Sequence, residues 1–220
     1  NNILKFPNLS ILLTGGHTQI YFIKKPNDYN LLGETVDDAV GESFDKVAKL
    51  LCLSYPGGPE IEKCAQNGNI NAYDLPHPLK SKKNMNFSFS GIKTAVNLIV
   101  KNQKKITQKF KEDMAASFQN KIIEIIINKI ERTIKMLNDK NINITDISIV
   151  GGVAANKALR NSLLNNDEIN KYNFVYPPIE ICGDNAAMIA LVGLQKYEHK
   201  VKPDHLFNFK ANPRLSIIES

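Results

Sequence analysis

"ILLTGGHTQIYFI", residues 11–23, decides the fold. An apolar run stops at Gly15 and Gly16, polar residues follow, and an alternating run resumes at Ile20. This predicts two β-strands over residues 9–23, joined by a tight Gly-Gly turn. Without side chains, the main chain at such a turn can be approached closely. The arrangement returns at Gly151-Gly152, after the apolar run "ISIV", and a third pair, Gly57-Gly58, lies in "SYPGGP". Adjacent turn amides can form a nest for an anion, and a helix predicted after Gly151-Gly152 would add its N-terminal dipole. Turn glycines are also common in their own right. Two strand-Gly-Gly units in one chain weigh toward phosphate or nucleotide. None of the pairs matches a Walker loop or a GxGxxG fingerprint.

Outward from the hairpin, "YNLLGETVDD" allows a short third strand near Leu31–Thr35. Helical periodicity runs from Ala39 to Leu53, "SYPGGP" breaks it, and a second helix can start at Glu60. Residues 67–90 are polar, contain Pro76 and Pro78, and read as a long loop. A helix from Ile92 and a longer one over Gln108–Leu137 follow. Met114, Phe118, Ile122, Ile126, Ile130, Ile134 and Leu137 make a core stripe on the longer helix. Beyond it come a strand in "NITDISIVGG", a helix in "VAANKALRNSLL", a strand in "YNFVYPP" and a helix in "GDNAAMIALVGLQKY". Strand and helix alternate there, which makes the class α/β. The expected division is a β-hairpin and strand in 1–36, a mostly helical part in 37–145, an α/β part in 146–200 and a loop tail in 201–220.

The chain has 220 residues, 43% hydrophobic and 23% charged, enough for a sizeable core. Its net charge of +6 suits an acidic partner such as nucleic acid or nucleotide phosphate, although a lysine excess also serves solubility. Cys52, Cys64 and Cys182 form no CxxC pair and point to a reducing compartment. No apolar run is long enough for a membrane-spanning helix. The first residues do not resemble a signal peptide, and a start without Met suggests a fragment or processed product.

Several polar residues could carry chemistry. Asp38, Glu42, Asp45 and Lys49 fall on one helical side, where carboxylates could grip ribose hydroxyls or a magnesium ion, or form a solvated face of i,i+4 pairs. Asp184 and Asn185 stand at the mouth of a helix; local sequence favours Asp184 as its N-cap over a metal ligand. His17, His77, His199 and His205 lack metal-site spacing, and His17 is the one best placed near a glycine pair. No HExxH is present, so a zinc peptidase finds no support. Lys80, Lys82 and Lys83 lie in the long loop, either solvated or set against nucleic acid.

Six blocks occur in order: "LLTGGHTQ", "LLGETVDDAVGESFDKVAKLL", "YPGGPEIEK", "NFSFSGIKTAV", "IVGGVAANKALR" and "CGDNAAMIA". Together they closely resemble the TsaD family, the universal tRNA threonylcarbamoyladenosine transferases, over residues 9–193. The resemblance implies an actin-like, sugar-kinase-like ATPase fold (RNase H-like), here its C-terminal lobe with a helical insertion. It implies transfer of threonylcarbamoyl from threonylcarbamoyl-AMP to N6 of the adenosine beside the anticodon of tRNA. Carried over by motif, Leu12, Leu13, Thr14, Gly15 and Gly16 would approach the phosphate and acyl group. Asp45 and Gly58 would lie at the nucleotide, Glu62 at the ribose and Asn156 at the adenylate. Asp184 would be a metal ligand, which reverses the local preference for a cap; Fe2+ is the expected ion, with Zn2+ the alternative. ATP is a further nucleotide ligand by this resemblance.

The family's N-terminal lobe, with an HxxxH that supplies two metal ligands, has no counterpart in these residues. The expectation is therefore activity in a longer parent and little or none in this chain alone. A truncated nucleotide- or partner-binding regulator is the alternative, and a small-molecule O-carbamoyltransferase fits "SFSG" and "YPGGP" less well. A bacterial member would be cytoplasmic and would work with a TsaB-like paralogue and a TsaE-like ATPase; a mitochondrial branch also exists.

Overall fold

The computed structural model describes residues 4–198 and 200–202. His199, His205 and the tail beyond residue 202, read above as loop, lie outside the described residues. Five strands form one sheet: β1 (Asn8–Leu13), β2 (Thr18–Lys25), β3 (Asp28–Glu34), β4 (Asp146–Val150) and β5 (Asn173–Val175). Their order is β3-β2-β1-β4-β5. The first three are antiparallel neighbours, and β4 and β5 add in parallel on the other side of β1. The sheet is mixed because a hairpin reverses the chain locally, whereas the return to β4 crosses more than a hundred residues of helix and loop.

Alternation along the strands sets the core. Leu9, Ile11 and Leu13 of β1 are fully buried, and Leu9 and Ile11 stand opposite the equally buried Ile147 and Ile149 of β4. Asp146 opens β4 almost completely buried, and its Oδ2 accepts from Lys5 N at 2.8 Å. Burial raises this carboxyl's pKa, but that bond, others from Asn173 and Thr145, and the Lys5 charge together bring it below its ordinary value.

Six helices accompany the sheet: α1 (Val40–Leu50), α2 (Gly57–Ala65), α3 (Ser90–Lys101), α4 (Gln108–Asp139), α5 (Lys157–Leu164) and α6 (Ala186–Glu198). The stripe expected on α4 is buried from Met114 to Leu137, and α4 packs against α2 and α5. Thr107 caps it, accepting from Phe110 N at 3.2 Å. α6 buries none of its residues: Ile189, Leu191, Val192 and Leu194 are all exposed.

Two sequence expectations shift by physical cause. The Gly57-Gly58 pair opens α2 rather than only ending α1, because Pro56 sits at the N-cap and Pro59 is tolerated in a first turn that lacks helical acceptors for its N–H groups. No regular helix directly follows Gly151-Gly152. A short 3-10 turn, Gly152–Ala155, intervenes, and α5 starts at Lys157 behind its own cap, Asn156.

The long segment between α2 and α3 is tied down at several points. Phe87 bridges to Thr35. Asp37 accepts from Ser88 Oγ (2.5 Å), Phe89 N (2.8 Å) and Ser90 Oγ (2.8 Å), so the "SFS" serines fasten the start of α3. The fully buried Lys129 donates to Leu79 O and Asn84 O, and Arg132 donates to Lys82 O and Lys80 O. With the carbonyls of Lys80 and Lys82 turned toward α4, Lys80, Lys82 and Lys83 remain exposed.

Candidate functional site: a glycine-lined cavity

A cavity of about 300 Å³ opens where the β1–β2 hairpin, α1, α2 and the 3-10 turn meet, at the lower end of the usual range for small-molecule sites. The hairpin contributes Gly15; α1 contributes Gly41, Phe44 and Asp45; Pro56 and the first turns of α2 contribute Gly58, Pro59 and Glu62. Gly152, Val153, Ala155 and Asn156 close the far side. Five residues separated widely in sequence and named from motifs, Gly15, Asp45, Gly58, Glu62 and Asn156, are thus brought together.

The glycines around this cavity divide into two classes. At Gly41, Gly57 and Gly151 the fold itself leaves no room. A Cβ on Gly41 would lie 2.8 Å from Thr14 O, one on Gly57 would lie 2.7 Å from Asp45 Cα, and one on Gly151 would strike Leu13 O. Gly151 also has φ +94°, a conformation that side chains disfavour. At Gly15, Gly58 and Gly152 a Cβ would meet nothing within 4 Å, and none of the three has positive φ. Neither packing nor backbone conformation requires glycine at these three positions, and all three face the cavity.

Main-chain donors in the walls are partly committed. Asp45 Oδ1 accepts from Gly57 N at 2.8 Å, which fixes the α1–α2 connection. Glu62 Oε1 accepts from Lys157 N at 2.5 Å, so a carboxylate already sits on the first turn of α5. Asn156 is also engaged: Oδ1 accepts from Leu159 N (2.9 Å) and Nδ2 donates to Gln119 Oε1 (2.8 Å). Pro59 has no N–H. The amides of Gly15, Gly58, Gly152 and Val153 have no acceptor among the described residues. The lining carries two carboxylates and no lysine or arginine, so an anion here would depend on these amides.

Arg160 supports the 3-10 wall from behind. Its Nε donates to Ala154 O at 2.6 Å, and its guanidinium lies 4.5 Å from the centre of the Tyr176 ring. Burial pushes the Tyr176 phenol up to about 12 against the opposing charge of Arg160.

The other sequence candidates stand elsewhere. Leu13 is core, and Leu12 is a half-buried β1 residue paired with Gln19 and Val150. Thr14 turns its Oγ1 onto the hairpin amides, accepting from Gly16 N (3.1 Å) and His17 N (2.8 Å). Those two amides are therefore not open to an anion in this arrangement, and Gly16 is at the exposed tip. The expected polar face of α1 is mostly ion-paired: Lys46 binds Asp38 (2.8 Å) and Glu42 (2.7 Å), and only Asp45 reaches the cavity. Asp184 is exposed, and the cap of α6 is Asn185, whose Oδ1 accepts from Met188 N at 3.1 Å. No group of three His, Cys, Asp or Glu side chains that could hold a metal occurs among the described residues. A lone carboxylate does not make a metal site, so Asp184 by itself does not fit one. Sequence reading missed Phe44, Pro56, Pro59 and Val153 as wall residues. Phe44 reads as core and is core, stacked edge-on against Phe118 at 5.2 Å, while its other side backs the cavity.

Comparison with known proteins is consistent along nearly the whole chain. The family model for TsaD, tRNA N6-adenosine threonylcarbamoyltransferase, matches residues 1–191. A protein of that name from Thermosipho africanus is 44% identical over 220 residues, covering 97% of this chain and 62% of the relative. Those from Pelagibacter ubique and Rickettsia rickettsii are 46% and 44% identical, covering 97% and 99% of this chain and 59% and 64% of the relatives. The chain thus spans about three fifths of the length of these curated relatives. Among solved structures, the activator of 2-hydroxyisocaproyl-CoA dehydratase from Clostridium difficile with bound ADPNP aligns with a TM-score of 0.48 at 15% identity, over 92% of this chain and 66% of that one. With 191 consecutive residues matched and relatives well above 40% identical, the chain belongs to the TsaD family of tRNA N6-adenosine threonylcarbamoyltransferases.

Proposed function

We propose that these residues form the adenylate-holding lobe of an enzyme that transfers threonylcarbamoyl from threonylcarbamoyl-AMP to N6 of an adenosine in tRNA. The observation that carries this reading is the cavity bordered by Gly15, Gly58 and Gly152, where neither packing nor backbone conformation requires glycine. Family membership supplies the reaction, and the unpaired amides supply a means of holding phosphate and acyl oxygens. The mixed sheet with helices between β3 and β4 is compatible with an actin-like ATPase lobe carrying a helical insertion.

In this reading the N6 amine attacks the carbamoyl carbon. The new N–C bond forms as the bond from that carbon to the AMP phosphate oxygen breaks; AMP leaves with its electron pair, and the proton lost by the amine passes to water or to the released phosphate. Amides at Gly15 and Gly152 would stabilise charge gathering on the carbonyl oxygen; Asp45 and Glu62 would hold the ribose side. Asp184 would hold Fe2+ or Zn2+ only with further ligands from outside the described residues, and the chemistry such an ion would supply when bound is that of a Lewis acid. TsaB-like and TsaE-like partners, and work in the cytoplasm, belong to the same proposal.

The test is to supply threonylcarbamoyl-AMP and unmodified tRNA to a protein of the relatives' length carrying these 220 residues, and to measure threonylcarbamoyladenosine by mass spectrometry. Product is expected, with a large loss in Gly58→Val. No product, or a Gly58→Val protein as active as the parent, contradicts the reading.

A further inference from the structure

A second cavity, of about 350 Å³, adjoins the first. Asp45 lines both, and Tyr55 of the second precedes Pro56 of the first. Lys46, Lys49, Leu53 and Ser54 complete its wall. Tyr55 is 83% exposed, high for a large aromatic ring on a soluble surface. The segment that carries it is held on both sides. Cys52 N donates to Lys49 O (3.1 Å), Leu53 N donates to Ala48 O (2.9 Å), and Gly57 N donates to Asp45 Oδ1 (2.8 Å). The ring therefore stands on an anchored connection and touches solvent on most of its surface.

The charges around the ring are unequal. Lys46 is spent on Asp38 and Glu42. Lys49 is exposed and has no carboxylate partner among the described residues, and Lys111 reaches the same connection, donating to Cys52 O at 3.4 Å. An exposed aromatic face beside cations without a carboxylate partner among the described residues, Lys49 with none and Lys111 holding only a carbonyl, is the combination that receives an unstacked base and its phosphates from single-stranded RNA.

We propose that Tyr55 is the platform on which the acceptor strand of the RNA stacks, with Lys49 and Lys111 on its backbone phosphates, so that an adenine amine enters the glycine cavity past Asp45. The inference rests on the transfer reaction proposed above, since it locates the second substrate of that reaction. Asp45 lines both cavities, so an amine that passes it enters the same space in which the acyl group is proposed to lie against the Gly15 and Gly152 amides.

The experiment uses the 220-residue chain and two separate titrations: a synthetic anticodon stem-loop RNA with an unmodified adenosine, followed by fluorescence anisotropy, and AMP, followed by calorimetry. Tyr55→Ala is expected to weaken RNA binding about tenfold, the loss of one stacked base, while Tyr55→Phe and Tyr55→Trp bind like the parent. Lys49→Ala is expected to weaken it less and to lower the salt slope by about one phosphate contact. AMP binding should stay within about twofold in the Tyr55 variants, and an unchanged melting temperature shows that they fold. RNA binding indifferent to Tyr55→Ala, Tyr55→Phe as weak as Tyr55→Ala, equal binding of a fully duplex RNA, or no RNA binding by the parent chain would each overturn the proposal. Loss of AMP binding by the parent chain strikes the adenylate reading itself, and is read independently of the RNA.

Discussion

The carboxylate of Glu62 accepts a hydrogen bond from the main-chain N–H of Lys157, 2.5 Å away and 95 residues distant in sequence. It links α2 to the first turn of α5 across the glycine-lined cavity. A carboxylate at a helix N-terminus satisfies an orphan amide and meets the positive end of the dipole. Glu62→Ala should cost about 0.5–2 kcal/mol by analogy with lost N-caps, and Glu62→Gln about half as much because an acceptor remains. Urea unfolding of both variants checks this. If Glu62 also contacts ribose, AMP affinity should fall further than stability does.

The two classes of glycine give opposite outcomes for one substitution. Gly151→Ala forces a side chain into a φ of +94° and onto Leu13 O, and should destabilise by about 2 kcal/mol or more. Gly58→Ala meets open space in the first turn of α2 and should change stability by less than about 0.5 kcal/mol. Denaturant midpoints decide between these. A Gly58→Ala protein as unstable as Gly151→Ala would mean that the cavity is part of the packing.

Much of this was legible in the sequence. The hairpin, the α4 stripe and the alternation after β4 follow from periods of 2.0 and 3.6, which report burial directly. What the sequence hid are contacts between distant residues. Nothing local announces that Glu62 meets Lys157, that Asp37 collects Ser88 and Ser90, or that Arg160 braces Ala154. Thr14 and Asn185 were obscured in another way. Each lies beside a more conspicuous residue, Gly15 or Asp184, yet it is Thr14 that takes the turn amides and Asn185 that caps α6. Of the nine residues that the motif resemblance names as substrate contacts, Gly15, Asp45, Gly58, Glu62 and Asn156 line one cavity, while Leu12, Leu13, Thr14 and Gly16 do not.

Asp146 makes stability depend on pH. Its folded pKa lies below the ordinary carboxylate value near 3.8. The stabilisation is therefore fully present above the unfolded pKa and is lost as pH falls through the folded one. Stability should decline as pH drops from about 5 toward 2, and Asp146→Asn should flatten part of that decline. An unchanged acid limb in the variant would remove Asp146 from the account.

Lys129 is buried without a carboxylate partner among the described residues, and burial, then the nearby Arg132, lowers its pKa. Its ammonium binds two carbonyls of the loop that displays Lys80, Lys82 and Lys83. Lys129→Ala leaves those carbonyls unpaired beside a void and should cost about 2–4 kcal/mol. Hydrogen exchange should show faster exchange across residues 79–84; protection unchanged there would contradict the pinning.

The claim on which the rest depends is that Gly15, Gly58 and Gly152 keep space for an adenylate. Calorimetric titration of the chain with AMP, parent against Gly58→Val, tests it most directly. The account predicts saturable one-to-one binding by the parent and at least a tenfold loss in Gly58→Val, flagged as a steric block by an unfolding midpoint within about 0.5 kcal/mol of the parent's. Equal AMP binding by the two proteins, or none by the parent, would contradict it.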